Sequence, residues 1–129
     1  MTDLSGYREG ETLDAMAAGG LYVALHTADE GNNPDGTNEV SADDYDRVEI
    51  AEADWSISGD GPTELVNDVA ADFGNTDSDW GDLQYASLWD GPEDTDNPET
   101  STITLDNGGE APEGIDVEIP AGDITFEID

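Results

Sequence analysis

The 129-residue sequence has no cysteine and no lysine; its only cations are Arg8 and Arg47, and its one imidazole is His26. Without cysteine there is no disulfide framework, no zinc–thiolate centre and no thiol nucleophile. Two arginines cannot neutralise a run of phosphates, so binding to bare nucleic acid is excluded. An anionic membrane surface would repel the chain for the same reason. Long apolar runs are also missing. The longest, residues 15–25, is broken by Gly19-Gly20, whereas a membrane-spanning helix needs roughly 20 residues. The first residues lack a cationic start followed by an apolar run, so no signal peptide is expected.

Acid is abundant. Thirty-four Asp and Glu give a formal net charge of −32. Leu, Ile, Val and Phe make up fewer than one residue in five. Low aliphatic content with high net charge is the composition of disordered chains. Two features argue for a fold instead. The acids are dispersed, with no run like an acidic tail, and the apolar residues alternate as they do in half-buried strands. A folded chain of this mass exposes roughly 6,600 Å², which spaces the acids about 14 Å apart. The screening length is about 10 Å at 0.1 M salt and about 3 Å at 1 M. Neighbouring carboxylates therefore repel at ordinary salt and barely sense each other at molar salt. This balance predicts a protein adapted to molar salt, from a halophilic source.

Along the chain, residues 1–8 read as loose and residues 9–18 as a short helix. Leu13, Met16 and Ala17 share one face of it, and Gly19-Gly20 stops it. Strands are expected from residue 21 onward. Residues 21–27 (LYVALHT) are apolar on both faces, like a covered central strand. Residues 29–37 form a turn-rich loop. Strands follow at 47–51 and around Trp55 and Ile57, with a turn at 59–62. Residues 65–73 fit helix or strand, with a strand favoured at the end. Further strands are expected at 82–89 and 101–105, with an acidic, proline-containing loop at 91–99. The C-terminus predicts a β-hairpin. Ile115, Val117 and Ile119 alternate with acids, PAGD (120–123) makes the turn, and Ile124, Phe126 and Ile128 alternate again. Short strands separated by Gly/Pro turns point to a mainly-β chain: one small antiparallel β-sandwich domain over residues 1–129, with one short N-terminal helix.

Several segments then fall into a familiar order: LYVALHTADEG (21–31), NEVS (38–41), Tyr45-x-Arg47, Trp55, Trp80-Gly81, SLWDG (87–91) and VEIPAGDITFEID (117–129). This order resembles a family of small structural proteins of tailed bacterial viruses, the tail-fibre-like proteins. The resemblance spans roughly residues 9–129, and the acidity and the loop at 91–99 depart from it. It implies a non-enzymatic virion component made inside the host, either a capsid-surface decoration or turret or a tail-fibre module. With the salt argument, it implies a tailed virus of a halophilic archaeon. Expected partners are copies of the chain itself, as a trimer or alternatively a pentamer or hexamer, together with capsid or tail proteins. A receptor- or glycan-binding module at a tail tip is the alternative reading.

Candidate residues are weighed against these expectations. His26 lies in no serine-hydrolase context, and its position in the resembling family belongs to a structural strand. Arg47, beside Tyr45, is expected as a carboxylate clamp inside the fold or as an anchor at a subunit contact. Trp55, Trp80 and Trp89 suit core or interface packing, with a sugar platform as the alternative. Asp29, Asp35 and Glu39 flank one loop, and Asp90, Asp94 and Asp96 another. They are weak calcium candidates, since neither loop has the D-x-[DN]-x-[DN]-G spacing. Diffuse association of Na⁺, K⁺ and Mg²⁺, and no cofactor, is the expectation. A glycosidase would need two placed carboxylates, and no pair stands out among so many acids.

Overall fold

The first ordered element is set by an apolar stripe. Leu13 and Ala17 are buried and Met16 packs beside them, so the segment carrying them coils as helix α1 (Gly6–Ala17). It starts about one turn earlier than expected. Tyr7, Arg8 and Glu9 are tolerable helix formers, and acids near the start favour the helix dipole. Ala18 N donates to Asp14 O at 3.0 Å, then Gly19 and Gly20 (φ 82° and 91°) stop the helix. This computed structural model describes residues 6–31, 34–59, 63–93 and 95–128, with the backbone alone at 6–9, 107 and 128. Most of the turn expected at 59–62 lies outside the described residues.

The strands are β1 (Leu21–His26), β2 (Val48–Ile50), β3 (Trp55–Ser58), β4 (Thr63–Asn67), β5 (Ala71–Asn75), β6 (Gly81–Trp89), β7 (Ile103–Ala111), β8 (Asp116–Ile119) and β9 (Thr125–Ile128). Every ladder between them is antiparallel. The sheet orders are β2-β1-β6-β7, β3-β4-β9 and β5-β8. The expected mainly-β fold with one short helix is what the chain forms. Leu21, Val23 and Leu25 of β1 share one core with Leu65, Leu83, Leu88, Ile119, Ile124 and the helix residues. β1 is buried on both faces, as its unbroken apolar run predicts.

The C-terminal hairpin does not form. β8 pairs with β5 and β9 pairs with β4 (Ala71↔Ile119, Val66↔Thr125), so 63–75 and 116–128 run as one bent antiparallel ribbon. Residues 120–123 are a corner within a strand rather than the reversal between two. Alternation marks strands but not their partners. Asn67, 1% exposed, plugs the corner. Its Nδ2 donates to Val69 O and Pro120 O, and its Oδ1 accepts from Gly122 N and Ile124 N. The ambiguous segment 65–73 is thus two strands around this corner, not a helix.

β7 also runs beyond the expected 101–105. Between Leu83↔Gly109 and Tyr85↔Thr104 the register slips, and residues 105–108 bulge opposite Gln84. A Cβ on Gly108 would lie 2.3 Å from Leu83 O, so only glycine fits there. Asn107-Gly108-Gly109 reads locally as a turn, which hides the strand.

Candidate functional site

Alternation puts Leu21, Val23 and Leu25 of β1 on the core face and leaves His26 on the other. Ser87 and Trp89 of β6 share that second face, as the pairs Ala24↔Ser87 and Tyr22↔Trp89 require. The loops that cover this face carry polar groups, and burial forces those groups to find partners. His26 Nδ1 lies 2.5 Å from Glu30 Oε2, and its Nε2 lies 2.6 Å from Ser87 Oγ. Trp89 Nε1 donates to Ser87 Oγ at 2.7 Å. Glu30 in turn accepts from the amides of Asp35, Gly36 and Asn38. A neutral imidazole protonated on Nδ1 satisfies the whole chain: Trp89 N–H to Ser87, Ser87 O–H to Nε2, and Nδ1–H to Glu30.

Beside this chain sits Arg47. Its Nε and Nη2 donate to Glu39 Oε2 and Oε1 at 2.9 and 2.8 Å, a two-point carboxylate clamp. Its Nη1 donates to the carbonyls of Gly91 and Glu93 at 3.2 and 2.8 Å. The guanidinium lies 3.9 Å from the centre of the Trp89 ring, in cation–π contact. The Arg47 and Glu39 side chains are only 2% and 7% exposed. Tyr45 Oη donates to Glu39 Oε2 and accepts from Leu25 N. Burial first, and then the Glu39 carboxylate, hold the Tyr45 phenol well above its ordinary pKa. One arginine thus ties the loop carrying Glu39 to the loop after β6.

Ser87, His26 and Glu30 have the order of a hydrolase triad. Ser87 and His26, however, are fully buried, and the serine oxygen already accepts the Trp89 indole N–H. In this arrangement the three residues fasten a loop to a strand.

All three tryptophans are buried with their indole N–H groups occupied: Trp55 by Ile50 O, Trp80 by Asp44 and Trp89 by Ser87. None forms an exposed platform. Trp80 also meets Tyr45 and Phe73 edge-on, with ring centres 5.4 and 6.5 Å away. Asp44 accepts from Ser78 Oγ, Asp77 N and Trp80 Nε1, and these bonds, the Ser78 hydroxyl first, hold its carboxyl down to about 2.

The two loops of acids are built the same way. Asp29 accepts from Thr102 Oγ1 and Gly31 N, and Asp35 from Thr37 Oγ1 and N. The hydroxyl bond in each case lowers the carboxyl below its usual range. Asp90 accepts from Asn97 N and Asp96 from Glu93 N, while Asp94 lies outside the described residues. Among the described residues no three His, Asp or Glu side chains converge as metal ligands, and no helix is long and apolar enough to cross a membrane.

The loop-to-strand network runs through segments that carried the sequence resemblance, and comparison with known families matches most of the chain. The profile described as Podophage GP4 fiber I protein gp80 covers residues 9–127. The chain belongs to this family of phage fibre proteins. No curated protein and no solved structure gives a significant match. Every strand of this fibre-family protein begins inside the matched span, as do the Arg47 clamp and the His26 chain. The expected relation to tail-fibre proteins therefore holds at the level of the family.

Sequence reading missed Glu30, Ser87, Asp44 and Asn67. A partial signal existed for the turn acids. D-x-G or D-x-T at 29–31, 35–37, 72–74 and 79–81 places a carboxylate on the amide two residues on, as the structure has it.

Proposed function

We propose that this protein is a non-enzymatic tail-fibre module of a tailed virus, built as one domain for concentrated salt and carried by a virus of a halophilic archaeon. The observation that carries the reading is membership of the phage fibre family over residues 9–127. Two others support it. The buried polar groups are spent on tying loops to strands, which gives a rigid outer surface suited to assembly. The chain spreads 34 acids over 6858 Å² of accessible surface, again about 14 Å apart. At molar salt these charges stop opposing contact between copies, and apolar patches decide assembly. The protein assembles in the host cytoplasm as a closed homo-oligomer, a trimer, and joins other virion proteins. It needs no resident cofactor, and ions gather diffusely around it. The internal bonding of the tryptophans favours this reading over a glycan-binding tip.

Mass spectrometry of purified virions, separated into heads and tails, tests the proposal. The chain is expected in tails at a copy number divisible by three. Presence in heads alone, or in neither fraction, refutes it.

A further inference from the structure

Among the described residues β7 and β8 are each paired on one side only, β7 to β6 and β8 to β5. A groove of about 170 Å³ runs between them. Its floor is apolar and buried: Leu25, Leu83, Leu105, Val117 and Ile119. Ile115, 40% exposed, stands at its mouth. The rim is acidic, with Glu110, Asp116 and Glu118 all exposed. Asp116 takes an amide N–H from Asn75, and among the described residues no cation stands against any of the three.

The backbone of β8 is set for a further strand. Thr76 N donates to Ile115 O, and Ile115 N to Thr76 Oγ1. Alternation then turns the peptide groups of Val117 and Ile119 toward β5 and those of Asp116 and Glu118 away from it. A strand added at this edge would point every second side chain into the groove and its neighbours toward Asp116 and Glu118. The volume suits one large side chain, because a dry cavity of about 150 Å³ holds a benzene ring.

We propose that this groove binds an extended segment of a cationic partner protein, with one bulky apolar side chain seated between flanking Lys or Arg. Charge at contact range decides the occupant: a screening length of about 3 Å at 1 M salt silences dispersed acids but not a cation seated directly against Asp116 and Glu118. A second copy has no lysine to seat there, its Arg47 is engaged inside the fold, and Arg8 alone cannot flank an apolar side chain on both sides. The inference names a partner chemistry for the fibre reading. It can fail while that reading stands, because it is read on the isolated chain and virion membership on the particle.

The test uses strand-forming peptides centred on Lys-Phe-Lys, Lys-Ala-Lys or Glu-Phe-Glu, titrated into the labelled 129-residue chain at a salt where it melts cooperatively. Lys-Phe-Lys is expected to bind saturably, with amide shifts confined to β7, β8 and Ile115. Lys-Ala-Lys should bind at least about tenfold more weakly, and Glu-Phe-Glu not at all. The exposed double change Asp116→Lys and Glu118→Lys should reverse the preference between Lys-Phe-Lys and Glu-Phe-Glu without lowering the melting temperature. No saturable binding, equal binding of Lys-Ala-Lys, shifts elsewhere or an unchanged preference would each overturn the proposal. So would peptide-free self-association that shifts the same amides, which would mark the groove as a contact between copies.

Discussion

Replacing Arg47 with alanine removes far more than a surface charge. The change strands the Glu39 carboxylate, 7% exposed, and frees the Gly91 and Glu93 carbonyls. It also uncovers one face of Trp89. Breaking a buried pair by removing one partner costs about 3–5 kcal/mol. Against a typical total stability of about 5–15 kcal/mol, that is a large fraction. For a chain of this size it corresponds to a fall of about 10–20 °C in melting temperature. The loss should persist from the lowest salt that supports the fold up to molar salt, because buried pairs are weakly screened. Arg47→Lys should recover only part of it, since an ammonium cannot make the two-point bond to Glu39. A double-mutant cycle with Arg47→Met and Glu39→Gln, read by thermal and denaturant melts, isolates the pair. The double variant should be less destabilised than the sum of the single ones by about 2–3 kcal/mol. A cost below about 1 kcal/mol for Arg47→Ala, the range of exposed ion pairs, or additivity across the cycle, would refute the clamp.

Three further outcomes follow from individual contacts. Asp44, at about 2 in the fold and about 3.9 in an unfolded chain, favours the folded state above about pH 4. That contribution disappears as pH falls toward 2, so the melting gap between wild type and Asp44→Asn should be widest above pH 4 and close toward pH 2. A constant gap would contradict this. Gly108→Ala forces a Cβ to within 2.3 Å of Leu83 O and should cost about 1–3 kcal/mol in a denaturant melt, whereas Gly109→Ala, with open space around it, should cost less. Asn67→Asp replaces the amide that donates to Val69 O and Pro120 O with a carboxylate. Its stability loss should exceed that of Asn67→Ala, whereas hydrogen exchange at Gly122 and Ile124 should quicken in Asn67→Ala, which removes the oxygen that accepts from both amides.

The parts of the fold that rest on local pattern were legible in the sequence: the stripe of α1, the buried run of β1 and the alternation of β8 and β9. Pairing was not, because it depends on contacts far along the chain. VEIPAGDITFEI looks like a self-contained hairpin, yet each half finds its partner around residues 63–75. The β7 bulge escaped because Asn107-Gly108-Gly109 carries a turn composition inside a strand. Of the site, Arg47, Tyr45, Trp80, Trp89 and His26 stood out by rarity or chemistry. Glu39 stood out only as a calcium candidate, and Glu30 did not stand out at all, since a carboxylate among 34 carries no mark of the partner it will meet.

The claim beneath these predictions is that salt screens an acid-covered β fold until its apolar faces can meet, first within one copy and then between copies. Sedimentation velocity and far-ultraviolet circular dichroism on the purified chain, from 0.1 to 3 M KCl at fixed protein concentration, test it most directly. The account predicts loss of strand signal and a monomer at the low end, and a folded trimer at the high end, with folding preceding assembly as salt rises. Identical strand signal and identical sedimentation at both ends would contradict it.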